Sequence, residues 1–181
     1  EALSLVEKHF SDIEPIELDD DNIVKEASGN KGEKVTTKRA GTTKLVQVAY
    51  NTPGINHEDI YPLNVLEEIL LSGNKSRLNE ALVEEELATD VHGGAESYRD
   101  PGLFYVLASL TPETKHEDAE KIIIKEIDKL VKTPPSKKEI EGAKNRIKAS
   151  YLFGLDGGYN QAVQIGYYDV VNDWKKSQTW A

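Results

Sequence analysis

Gly73-Asn74-Lys75-Ser76-Arg77-Leu78, then Glu84-Glu85-Glu86-Leu87-Ala88-Thr89-Asp90-Val91, then Arg99-Asp100-Pro101-Gly102-Leu103-Phe104 form the stretch whose reading decides the fold. Ser76 is placed to cap a short helix over residues 76–85, with Leu78, Ala81 and Leu82 facing inward. Residues 88–97 and 102–110 read as two strands. They join through Tyr98-Arg99-Asp100-Pro101, where proline cannot donate to a sheet ladder, so the pair is expected to be a hairpin.

Upstream, Leu63, Leu66, Ile69 and Leu70 recur at helical spacing over residues 59–71, with Pro62 tolerable in the first turn and Gly73 closing the helix. Before it, residues 35–39 and 42–50 are rich in Thr and Val and read as strand, broken by Pro53-Gly54. Residues 12–34 hold Pro15, Asp19-Asp20-Asp21, Gly29 and Gly32 without a sustained period, which predicts a long polar connection. Ahead of that connection, Ala2, Leu5, Val6 and Phe10 lie on one side of a leading helix, and a start already helical in period reads as cut from a longer polypeptide.

Downstream, Ala119, Ile122, Ile123, Ile127, Leu130 and Val131 mark an amphipathic helix that ends at Thr133-Pro134-Pro135. Ser136-Lys137-Lys138-Glu139 has the spacing of a capping box, in which the hydroxyl and the carboxylate satisfy each other's backbone N–H groups. The helix it opens buries Ile140, Ala143, Ile147 and Tyr151, and Gly154, Gly157 and Gly158 interrupt it before a last helix over residues 159–171. Strand, helices, hairpin and helices in that order predict an α+β domain, a mainly antiparallel sheet with helices packed on one face.

The chain of 181 residues carries 32 acidic against 22 basic side chains, a net charge of -10. That balance argues against nucleic acid, whose binding requires clustered Lys and Arg. No apolar run approaches the roughly 18 residues of a membrane span, and residues 1–20 lack the pattern of a signal peptide. With no Cys, disulfides, cysteine-ligated zinc and thiol catalysis are excluded together. His9, His57, His92 and His116 are too far apart for a helical His pair with an adjacent Glu, the arrangement that puts two imidazoles and a water-activating carboxylate on one zinc ion. His57-Glu58-Asp59 and His116-Glu117-Asp118 suit helix starts, where acidic groups meet the positive end of the dipole. Gly93-Gly94 and Gly157-Gly158 lack the setting of a phosphate loop, and no elbow marks a nucleophilic Ser. Neither a catalytic residue nor a metal ligand is therefore predicted. Glu84-Glu85-Glu86 reads as a solvated face, and Tyr151, Phe153, Tyr159, Tyr167, Tyr168, Trp174 and Trp180 concentrate aromatic surface near the end of the chain.

Ser76-Arg77-Leu78, Leu87-Ala88-Thr89, Arg99-Asp100-Pro101-Gly102-Leu103-Phe104, Thr111-Pro112-Glu113-Thr114 and the segment Glu139 to Ala149, in this order and separation, resemble the second, non-catalytic domain of the insulinase/pitrilysin zinc peptidases, which include the mitochondrial processing peptidase. The resemblance implies a metallopeptidase inactive-domain fold, LuxS/processing-peptidase-like, over residues 35–181, with residues 1–34 as leading helix and connection. It also implies a fragment of a larger protein, lacking its last element. Zinc would sit in a separate first domain, on an inverted H-x-x-E-H helix, and none in this fragment. The implied partners are that zinc-bearing domain, in the same chain or a partner half, and a peptide or protein substrate enclosed in a chamber of which this domain is one wall. Arg77, Thr89 and Arg99 are the candidate contacts to the chamber or to a neighbouring domain. Some family halves carry an Arg and a Tyr that reach the substrate; here those positions hold Leu82 or Val83 and Thr89, so the chain resembles the partner domain within a zinc-bearing half rather than the Arg/Tyr half. The interval from Leu82 to Leu87 is one residue shorter than in many relatives. Two other readings stand beside this one: a structural subunit of the same fold without proteolysis, and an acidic interaction module with aromatic surface near Trp174.

Overall fold

A computed structural model of the chain describes residues 1–16, 41 and 43–175. The expected strand at 35–39, most of the polar connection and Trp180 lie outside the described residues. Two compact units are distinguished, residues 1–39 and residues 40–181. The described part of the first is a helix, α1 (Ala2–Phe10).

The second unit is built on a three-stranded antiparallel sheet in the order β1 (Leu45–Thr52), β3 (Gly102–Leu110), β2 (Ala88–Ala95). Its helices are α2 (Ile60–Leu70), α3 (His116–Lys132), α4 (Lys137–Gly154) and α5 (Gly158–Val171). The expected hairpin is present as β2 and β3, with Glu96 N–H donating to the Leu103 carbonyl at 2.9 Å and the Leu103 N–H donating to the Glu96 carboxylate at 3.0 Å where the strands part. The central place of β3 suits its composition, apolar at almost every position from Leu103 to Leu110.

Successive strand residues point to opposite faces, so the register sorts the sheet into rows. Val46, Ala108 and Val91 form one row, and Val48, Val106 and Gly93 the next. Against these rows the core gathers Leu70 of α2, Leu78, Leu82, and Ala119 and Ile123 of α3. α3 packs on β1 and β3, α2 on β2, and α4 lies against α2. Helices thus cover one face of the sheet, as the sequence predicts.

Two local readings need correction. The segment after Arg77 is not an ordinary α-helical turn: Asn79–Val83 is π-helical, with Glu84 N–H donating to the Asn79 carbonyl at 3.1 Å and Leu87 N–H to the Leu82 carbonyl at 2.9 Å, both spanning five residues. Three residues past its end, Glu86 is a non-glycine residue at φ 57. Leu78 and Leu82 are fully buried, and the π-turn packs against β2. Ser76, in turn, caps nothing with its side chain: its carbonyl accepts from Glu80 N–H at 3.0 Å, but its hydroxyl is buried and finds no hydrogen-bond partner among the described residues. The capping box of α4 is present as expected, with Ser136 Oγ accepting from Glu139 N–H at 3.2 Å and Glu139 Oε2 accepting from Ser136 N–H at 2.8 Å.

Candidate functional site

The rows alternating with the core carry Gln47 and Ala49 of β1, Tyr105 and Leu107 of β3, and Asp90 and His92 of β2. The β1 and β2 members are exposed, and the β3 members are half-buried between them. Among the described residues, the core cluster places its helical side chains on the other face, so this face of the sheet is open. An antiparallel sheet tolerates such one-sided cover because its backbone is satisfied within the ladder.

Where β2 begins, the register slips between Ala88 and Asp90, so Thr89 is an extra residue opposite Ser109. A bulge of this kind re-aims side chains, and Thr89 and Asp90 are both exposed. Thr89 Oγ1 donates to the Ser109 carbonyl at 3.2 Å. Two residues on, His92 Nδ1 lies 2.6 Å from Asp90 Oδ2, both side chains being more than half exposed. The open face therefore mixes apolar area with a hydrogen-bonding amide, hydroxyl, carboxylate and imidazole.

The three residues singled out from the sequence lie in different settings. Thr89 is at the bulge just described. Arg99 is exposed at the turn of the hairpin, and its backbone packs on Gly54, where an added Cβ would lie 2.3 Å from the Arg99 carbonyl oxygen. Next to it, Ile55 N–H donates to the Tyr98 carbonyl at 2.8 Å. Arg77 reaches across 62 residues to Glu139, donating from Nε at 3.0 Å and Nη2 at 2.8 Å to the same carboxylate oxygen. No hydrogen bond joins any two of Arg77, Thr89 and Arg99 among the described residues. Gln47, Tyr105 and Leu107 are not among the sequence candidates, and His92 enters there only as a His too distant from the others for a zinc pair. Strand alternation would reveal His92 and Gln47, but β3 is apolar in both phases and hides which of its faces is open.

No group of three or more His, Cys, Asp or Glu among the described residues is placed to hold a metal ion. His92 meets Asp90, and His57 lies 3.5 Å from Asp59 at the start of α2, where its Nδ1 accepts from Asp59 N–H at 3.2 Å. These described residues do not fit a catalytic zinc, which takes three protein ligands around an open position. No helix is long and apolar enough to cross a membrane among the described residues.

Residues 1–147 match the peptidase M16 inactive domain. Zinc protease PqqE of Helicobacter pylori is 26% identical over 178 residues, covering 95% of this chain and 40% of that protein. Core protein I of the mitochondrial ubiquinol-cytochrome-c reductase complex of Euglena gracilis is 29% identical over 163 residues, 75% of this chain and 33% of that protein. The chain thus spans less than half the length of these relatives. Among solved structures, one described as an inactive peptidase domain from Bordetella parapertussis is 25% identical with a TM-score of 0.69, over 80% of this chain and 79% of that one. A protease from Helicobacter pylori shares the fold at a TM-score of 0.76 and 22% identity, over 96% of this chain and 43% of that one. A match to the family over residues 1–147, on a sheet covered by helices on one side, makes this chain a member of the peptidase M16 inactive-domain family.

Proposed function

We propose that this chain is the non-catalytic wall of a peptide-enclosing zinc endopeptidase, with the open face of its sheet turned toward the enclosed substrate and the zinc held in a separate domain. The observation that carries the reading is the one-sided cover of the sheet: a strip of amide, hydroxyl, carboxylate, imidazole and apolar side chains backed by a helical layer. Such a strip can hold an extended polypeptide without chemistry of its own. Thr89 and Arg99 are candidate contacts to substrate or to the zinc-bearing domain. Arg77 could serve there only by releasing Glu139.

The net charge of -10 would favour basic segments in such an enclosure. The test uses the full-length protein with Gln47→Lys on the open face. Long basic peptides should show KM raised about two- to threefold, with the effect fading at high salt, while a short peptide and the thermal midpoint stay unchanged. Equal behaviour of long basic and long acidic peptides at both salt concentrations would rule the wall out.

A second reading is a structural subunit without proteolysis, favoured by the similarity to core protein I of a respiratory complex. The upstream sequence of the full-length gene decides between them. An intact H-x-x-E-H there supports the peptidase, and its absence the structural role.

A further inference from the structure

On the helix-bearing side, away from the open face, a groove of about 520 Å³ runs between α2, α4 and α5. Its size lies in the range of ordinary small-ligand sites. Each helix contributes one face at helical spacing: Glu67 from α2, Tyr151 and Gly154 from α4, Gln164, Tyr167 and Tyr168 from α5. None of its lining residues is Lys, Arg or His. Two carboxylates line it, and that of Glu68 is occupied by Arg146, whose Nε donates to it at 2.6 Å.

Glu67 is different. Its Oε2 accepts from Ala95 N–H at 3.2 Å, which fixes the carboxylate against the end of β2. The approach is close enough that a Cβ on Gly94 would lie 2.3 Å from the carboxylate carbon. Burial pushes the Glu67 carboxyl pKa up, the Ala95 N–H opposes that rise, and the Glu68 charge adds to it. A half-desolvated negative charge without a cation facing it in the groove gains by receiving one. Aromatic walls suit the same guest: Tyr167 and Tyr168 meet edge to face at 5.6 Å and 82°, and the Tyr167 hydroxyl donates to the Ser97 carbonyl, tying α5 to the hairpin.

We infer that this groove accepts the guanidinium of an arginine side chain presented by another polypeptide segment, with Glu67 as its carboxylate partner and the tyrosines as its walls. A guanidinium is favoured over an ammonium because it is planar, stacks on rings and donates to a carboxylate through two parallel bonds. The inference does not rest on the open sheet face and survives if that face binds nothing.

The test is calorimetric titration of the full chain with Nα-acetyl-arginine amide, its uncharged citrulline counterpart and the lysine amide. Arginine amide should bind about tenfold more tightly than citrulline amide, a difference of one charged contact, and more tightly than lysine amide. Glu67→Gln should abolish that preference. Gly154→Leu, at a helical position with no atom within 4 Å of the added Cβ, should block the groove while leaving Glu67 intact, so a folding defect in one variant does not spare the claim. No binding of arginine amide to the unaltered chain, equal affinity for arginine and citrulline amides, equal affinity for lysine amide, or an unchanged preference in Glu67→Gln would each overturn it.

Discussion

Arg77 and Glu139 offer the sharpest test of how this domain holds its helical layer together. The Glu139 carboxylate does two jobs: Oε2 closes the capping box on Ser136 N–H at 2.8 Å, and Oε1 receives Nε and Nη2 of Arg77 at 3.0 and 2.8 Å. The Arg77 and Glu139 side chains are 23% and 37% exposed, so solvent screens the pair and its net worth is about 0.5–1 kcal/mol rather than that of a buried bridge. Arg77→Ala should therefore cost about that much, and Ser136→Ala about 1 kcal/mol through the lost cap. Glu139→Gln keeps an acceptor for the cap but loses the charge, so at neutral pH it should cost about as much as Arg77→Ala, and the double variant only slightly more, a coupling of about 0.5 kcal/mol.

The pH dependence has a definite sign. The Ser136 N–H, and after it the Arg77 guanidinium, hold the Glu139 carboxyl below the ordinary glutamate range. A carboxyl whose folded pKa is depressed contributes stability above its unfolded value of about 4.3 and loses it as pH falls through the folded value. Urea unfolding followed by far-ultraviolet circular dichroism, at neutral pH and at about pH 3, should show the gap between the unaltered chain and Glu139→Gln closing in acid. Additive losses in the double variant at neutral pH, or a gap that persists unchanged in acid, would refute the reasoning.

Other substitutions probe single features, each by urea unfolding. Ser76→Ala removes a buried hydroxyl that has no partner among the described residues, and should stabilise by about 1 kcal/mol; a loss of stability would mean the hydroxyl is satisfied. Glu86→Gly relieves a left-handed backbone at φ 57 and should gain about 0.5–1 kcal/mol after the added flexibility of the unfolded chain. Gly54→Ala would force a methyl to 2.3 Å from the Arg99 carbonyl oxygen and should cost about 2 kcal/mol by prising the residue 98–100 turn from the end of β1; a neutral result would show the turn to be compliant.

The features legible from the residues alone are local. Ser136 and Glu139 announce a capping box because both partners lie within one turn, and Thr133-Pro134-Pro135 and Gly154 bound the helices because proline and glycine act on their own backbone. The hairpin was legible from the strand residues flanking Tyr98 to Pro101, and the family resemblance from motif order. Tertiary structure decided everything that requires distant segments to meet. Which phase of β3 faces the core depends on where α2 and α3 land, since Leu103, Tyr105 and Leu107 are as apolar as Phe104, Val106 and Ala108. Arg77 finds Glu139 across 62 residues, and Glu67 finds Ala95 across 28. The π-turn at Asn79–Val83 likewise packs on β2, and Leu82 within it is fully buried. Short-range hydrogen bonding is encoded in neighbouring residues, whereas the faces of a sheet and the partners of a charge are chosen only when the chain closes on itself and buries one side.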